Sequence, residues 1–138
     1  MTISVETRLD LQELLARVSY AYDVRDLALL ESCFAPQASL TMRIAGGDLV
    51  GPFEGRDAIM GLNRGAMEQQ TDVRKHVVSN VFFEEGESGI TAVSFLTLIA
   101  TENGETRLLS AGIYRDAVIE TDSGWCIAQR HIELDNGY

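Results

Sequence analysis

With 138 residues, 46% of them hydrophobic and 23% charged, the chain has material for one domain with a substantial core and too little for two. A formal charge of −10 at pH 7 argues against binding nucleic acid or an anionic membrane surface, because phosphates and lipid headgroups would be repelled. The acidic residues are scattered, with no block of like charges, so they read as a solubility feature.

Leu11, Leu14, Leu15, Val18 and Tyr22 fall at the i, i+3, i+4, i+7 spacing of one buried helical face, with Thr7 or Asp10 as the expected N-cap. A short second helical turn is predicted over 26–34. Asp26 is placed to cap it and Pro36 to stop it. Residues 38–44 read as a first strand, Gly46-Gly47-Asp48 as a turn, and 49–53 as a return strand. Ala58, Ile59, Leu62 and Ala66 keep helical spacing, although Gly61 and Gly65 each cost about 1 kcal/mol relative to Ala.

From Arg74 onward the chain reads as strand: 74–84, 89–101, 105–120 and 125–134. Glu102-Asn103-Gly104 is a strong hairpin signal, and connections this short make the strands antiparallel neighbours. The run 89–101 is apolar on both faces, with Ile90, Ala92, Leu96 and Leu98 against Val93, Phe95 and Ile99. Such a strand needs cover twice. The helices supply one cover; curvature around an apolar cavity, or a partner subunit, supplies the other. The fold class is α+β. A homo-oligomer is expected, dimer first and trimer second.

Cys33 and Cys126, in apolar contexts, read as small buried hydrophobes. The start of the chain lacks the basic and apolar runs of a secretory signal, and no apolar stretch approaches the roughly 20 residues of a membrane span. A cytoplasmic location is the expectation. Only two histidines, His76 and His131, are available as bases titrating near neutrality. No HxH, HxxxH or CxxC spacing suggests a metal site, and no GxSxG or glycine-rich phosphate loop occurs, so no metal or cofactor is expected. On an uninterrupted first helix Asp26 would share the Tyr22 face and Asp23 would lie at its edge; both carboxylates stay open at this point.

Several short segments, in order, carry a resemblance. They are Tyr22-Asp23-Val24-Arg25-Asp26-Leu27 with Cys33-Phe34-Ala35-Pro36-Gln37-Ala38, then Gly55-Arg56-Asp57-Ala58-Ile59, Lys75-His76-Val77-Val78-Ser79-Asn80, and Gly124-Trp125. With the element order they resemble the SnoaL-like branch of the nuclear transport factor 2-like superfamily, which includes scytalone dehydratase and polyketide cyclases. The resemblance covers nearly the whole chain, read as a single domain over 1–138. It implies a cone-shaped α+β barrel, N-terminal helices on a strongly curved antiparallel or mixed sheet that encloses a pocket.

The resemblance also places Tyr22, Asp23 and His76 in the pocket as catalytic residues, with a helix break that leaves Asp26 as a cap. The scytalone-type second histidine has no counterpart in Ala92-Val93-Ser94-Phe95, which argues against that substrate. Asn80, Ser94, Met42, Tyr114 and His131 are the candidate substrate-binding residues. The expected function is a cofactor-independent dehydratase, lyase or isomerase acting on a hydrophobic cyclic molecule of polyketide, steroid or terpenoid type, by His-Asp acid–base catalysis. The alternative is a non-catalytic binding or assembly module of the same fold, such as a dioxygenase small-subunit-like protein.

Overall fold

The computed structural model describes residues 2–138. Helix α1 (Val5–Val24) starts earlier than the periodicity alone suggests, because the Ser4 hydroxyl accepts from the Thr7 N–H at 3.1 Å and so caps it ahead of Thr7 or Asp10. Leu11, Leu14, Leu15 and Val18 are its buried stripe. The helix ends where Arg25 turns left-handed at φ 60. Asp26 then accepts from the Leu29 N–H at 3.1 Å and opens α2 (Leu27–Ser32), the cap role expected of it.

Pro36 does not stop α2, which ends before it. Pro36 lies inside β1 (Phe34–Ile44), in the irregular stretch between the Phe34↔Ile127 and Ser39↔Gln129 pairings, where its missing N–H breaks no regular ladder. There follow β2 (Val50–Glu54), α3 (Arg56–Gln69), β3 (Val73–Gly86), β4 (Gly89–Glu102), β5 (Glu105–Thr121) and β6 (Gly124–Leu134). Asn103 and Gly104, both at positive φ (54 and 79), form the tight turn between β4 and β5.

The six strands form one mixed sheet in the order β2-β1-β6-β5-β4-β3. The β1–β6 pairing is parallel and the rest are antiparallel. The sheet is not closed; β2 and β3 are its edges. Helix α1 lies against β3 and α3 against β1, so the helices cover one face. Leu11, Val18, Leu30, Phe34, Ile59 and Ile127 fill the space between. At Gly112 a Cβ would collide with the Glu133 carbonyl oxygen, so the β5–β6 contact there requires glycine. On the outer face Phe82, Phe95 and Val77 stay exposed. Among the described residues no helix is long and apolar enough to cross a membrane.

Candidate active site

An edge strand leaves alternate backbone N–H groups without a ladder partner. In β3 one of these belongs to His76, and it donates to Asp23 Oδ2 on α1 at 2.7 Å. The other oxygen of the same carboxylate, Oδ1, lies 2.6 Å from Nδ1 of the His76 ring. A carboxylate can only accept, so Nδ1 carries the proton and Nε2 is left with a free lone pair. The pair is nearly enclosed, with side-chain exposures of 14% for His76 and 8% for Asp23. The left-handed turn at Arg25 is what separates the two acidic residues: Asp23 stays on the helix facing β3, and Asp26 caps α2.

Tyr22 meets His76 edge to face, with ring centroids 4.9 Å apart. Its hydroxyl donates to Gln70 Oε1 at 3.3 Å. Burial raises its pKa, opposed in part by the Arg74 charge, so at neutral pH it is a donor.

Both rings line a cavity of about 160 Å³ between the helices and the inner sheet face. Its walls are mainly apolar, with Val18, Leu30, Phe34, Met42, Leu96 and Ile132 prominent. Five further polar residues reach it: Ser19, Asn63, Tyr114, Arg130 and Tyr138. Arg130 is held by a buried bidentate pair with Asp116, Nε to Oδ1 at 2.7 Å and Nη2 to Oδ2 at 3.0 Å. Its guanidinium lies 3.9 Å over the Tyr114 ring.

Burial alone would lower the Arg130 pKa, but the charge and hydrogen bonds of Asp116 outweigh it and the net direction is up. Arg130 is therefore a permanent cation. Burial pushes the Tyr114 hydroxyl up to about 12, against the opposing pull of Arg130. Among the described residues no group of three or more His, Cys, Asp or Glu side chains is placed to hold a metal ion.

Residues 4–131 match the family model of the SnoaL-like domain. The chain belongs to the SnoaL-like family. Solved structures of the same fold include ActVI-ORFA from Streptomyces coelicolor, 14% identical with a TM-score of 0.82, covering 95% of this chain and 98% of that one. A Nostoc punctiforme protein of unknown function with a cystatin-like fold is 19% identical at a TM-score of 0.81, covering 98% and 96%. A Catenulispora acidiphila structure in complex with S-DNPA is 20% identical at a TM-score of 0.81, covering 96% of each chain. At these identities the likeness establishes the fold. A search of curated protein sequences finds no significant match.

In this SnoaL-like protein the structure gathers Tyr22, His76, Met42 and Tyr114 around one cavity, with Asp23 at the back of the His76 ring. Three other expected pocket residues are corrected. Asn80 is exposed at φ 54 in a β-bulge, where β3 spends an extra residue between its Ser79 and Phe82 pairings. The bulge reverses the alternation, so Phe82 points outward and Phe83, opposite Ala92, takes the inner face. Ser94 does face inward, opposite Tyr114, but it is fully buried and does not line the cavity.

His131 lies on the outer face, its Nδ1 2.7 Å from the Thr41 hydroxyl and its Nε2 2.8 Å from Glu133 Oε1. Its neighbour Arg130 takes the inward position instead. Sequence reasoning does not single out Arg130, Asp116, Ser19 or Asn63 for the site. A signal for Arg130 exists: it shares strand parity with Ile132 and Leu134, and a charge at an inward position needs a buried partner. The partner is hidden, because a bulge between Ala117 and Val118 moves Asp116 from opposite Gln129 to opposite Arg130.

Proposed function

We propose that this SnoaL-like protein is a cofactor-independent enzyme that performs elimination or double-bond isomerisation on a hydrophobic cyclic small molecule. The observation that carries the reading is the 2.6 Å contact of His76 Nδ1 with Asp23, on a ring that lines a mainly apolar cavity. His76 Nε2 takes a proton from a carbon beside a carbonyl, and the Asp23 carboxylate stabilises the imidazolium that forms. The electron pair released on carbon moves toward oxygen. Tyr22, Tyr114 and the Arg130 cation supply donors for the developing oxyanion or for a departing hydroxyl, in a cavity whose walls are mainly apolar. General-base assistance contributes about 10²–10⁴ in rate, and preorganised donors supply much of the remainder.

Size narrows the substrate. A dry cavity of about 150 Å³ accommodates one benzene-sized ring. The cavity here is close to that, at about 160 Å³. A polycyclic substrate would therefore enter reactive ring first and leave its remainder toward Tyr138, which lines the cavity and is itself largely exposed. The Catenulispora acidiphila neighbour was solved in complex with S-DNPA, which supports a ligand-binding role for this fold.

The test is turnover by His76→Ala against a panel of cyclic ketones, enones and hydroxyketones, with binding followed separately by thermal shift. The expected result is retained binding with a loss of about 10²–10⁴ in kcat. Unchanged turnover would remove His76 from the chemistry, and binding without turnover in the wild type would favour a binding module.

A further inference from the structure

A second opening reaches His76 from behind. Between α1 and the edge strand β3 runs a groove of about 560 Å³, bordered by Gln12, Ala16, Asp23 and Lys75. Of the described residues only Ser19 and His76 line both this groove and the cavity, so those two side chains form the partition between them.

Ser19 is an unexpected residue for that position. It lies on the buried side of α1, only 7% exposed, one turn before Tyr22 and Asp23. Its Oγ has no hydrogen-bond partner among the described residues, not even the Leu15 carbonyl one turn back that a helical serine commonly uses. Leaving a buried hydroxyl unpaired costs about 1–3 kcal/mol, and an alanine there would avoid the cost. The other unpaired polar atom at the partition is His76 Nε2, since Nδ1 is committed to Asp23. A water needs two or more polar partners to be held in a buried place, and the partition offers a hydroxyl and an imidazole nitrogen beside a solvent-facing groove.

We infer that Ser19 and His76 hold a water molecule at this partition, and that the groove is a separate solvent route by which His76 exchanges its proton while the cavity is occupied. The inference rests on the general-base reading of His76. In the elimination it serves, the substrate C–H bond breaks, Nε2 gains the proton and the electron pair forms the new double bond. The hydroxyl leaves as water with the proton that Tyr22 donates and then regains from solvent. The imidazolium then passes that proton to the held water, with the Ser19 hydroxyl as hydrogen-bond partner, and the proton leaves through the groove to bulk water. No oxidant, metal or cofactor enters the balance.

Two measurements that need no substrate test it. The first is a pair of high-resolution crystal structures, wild type and Ser19→Ala. The expected density is an ordered water within hydrogen-bond distance of both Ser19 Oγ and His76 Nε2, absent from the variant. The second is modification of the two histidines by diethyl pyrocarbonate, with the cavity kept filled by toluene at saturation so that the reagent can reach His76 only through the groove, followed by mass spectrometry. Ala16 borders the groove but not the cavity, and it is exposed on α1, so Ala16→Phe narrows the route without entering the core.

Modification of His76 should slow about tenfold in Ala16→Phe, equal to ~1.4 kcal/mol of added barrier, while His131 on the outer face keeps its rate. Ser19 bonded to the Leu15 carbonyl with no water present, or His76 labelled equally fast in Ala16→Phe, overturns the inference. Neither readout depends on turnover, so the route can fail while the catalytic reading stands, and the reverse.

Discussion

Replacing Asp23 by Asn tests the His76 geometry at the level of a single proton. In the native protein Oδ2 of Asp23 accepts the His76 backbone N–H at 2.7 Å and Oδ1 meets ring Nδ1 at 2.6 Å. Asparagine offers one acceptor oxygen and one NH₂ donor. The backbone N–H can only donate, so the amide oxygen must take it, and the NH₂ then faces Nδ1. That arrangement forces the ring proton onto Nε2, turning the cavity-facing nitrogen from acceptor into donor. The ring stays in place and the base is lost.

A carboxylate-to-amide change of this kind in a histidine–carboxylate dyad lowers kcat by about 10⁴ through the wrong tautomer. The charge-assisted bond that disappears carries about 1.5–3 kcal/mol, of which the retained neutral bonds restore a part, so stability should fall by only ~1–2 kcal/mol. With two histidines in the chain, nitrogen NMR resolves the tautomer directly. His76 should change from the Nδ1–H to the Nε2–H form, while His131, whose ring nitrogens face Thr41 and Glu133, should not. An Asp23→Asn variant that keeps His76 in the Nδ1–H form, or keeps full turnover, would refute the reasoning.

Breaking the Asp116–Arg130 pair from one side should be far more costly than losing the Asp23 charge. Asp116→Ala leaves a buried guanidinium unpaired, for an expected loss of about 3–5 kcal/mol by urea unfolding, whereas the double change Asp116→Leu with Arg130→Met should recover most of it. A loss under about 1 kcal/mol in the single variant would show that water reaches the pair. Alkaline pH should also destabilise the fold. Burial raises the pKa of Tyr22, Cys33, Tyr114 and Cys126, with Tyr114 reaching about 12. The folded state thus favours the protonated forms, and their contribution is intact below the unfolded pKa values and lost as pH rises through the folded ones. For Tyr114 that loss is roughly 2–3 kcal/mol, spread between pH 10 and 12. A melting temperature that stays flat from about pH 9 to 12 would contradict the burial of these groups.

Local patterns carried much of the architecture. The stripe Leu11–Leu14–Leu15–Val18 and the Asn103-Gly104 turn are short-range signals, and the helix and hairpin they announce are present. Reading errors concentrate where one residue breaks a period. The bulge at Asn80 swaps Phe82 for Phe83 on the inner face, and the bulge beside Ala117 sets Asp116 against Arg130. Asn80 is of a type that is uncommon in strands and tolerates positive φ, but one such residue does not by itself announce a bulge, so parity counting passes straight through both. The parallel β1–β6 pairing was also beyond local reading, since its partners lie about ninety positions apart and share no turn.

By itself the sequence determined the element order, the family resemblance, and the shortage of titratable bases that makes His76 the leading candidate. Only the tertiary structure decided what that histidine can do. The left-handed residue Arg25 divides Asp23 from Asp26, and the free edge of β3 lets one carboxylate hold both the His76 backbone and its ring. Two register shifts then choose which side chains face the cavity. The reason is physical: periodicity records which face of an element is apolar, whereas a site depends on the registers between elements, and a shift of one residue reverses a face at little local cost.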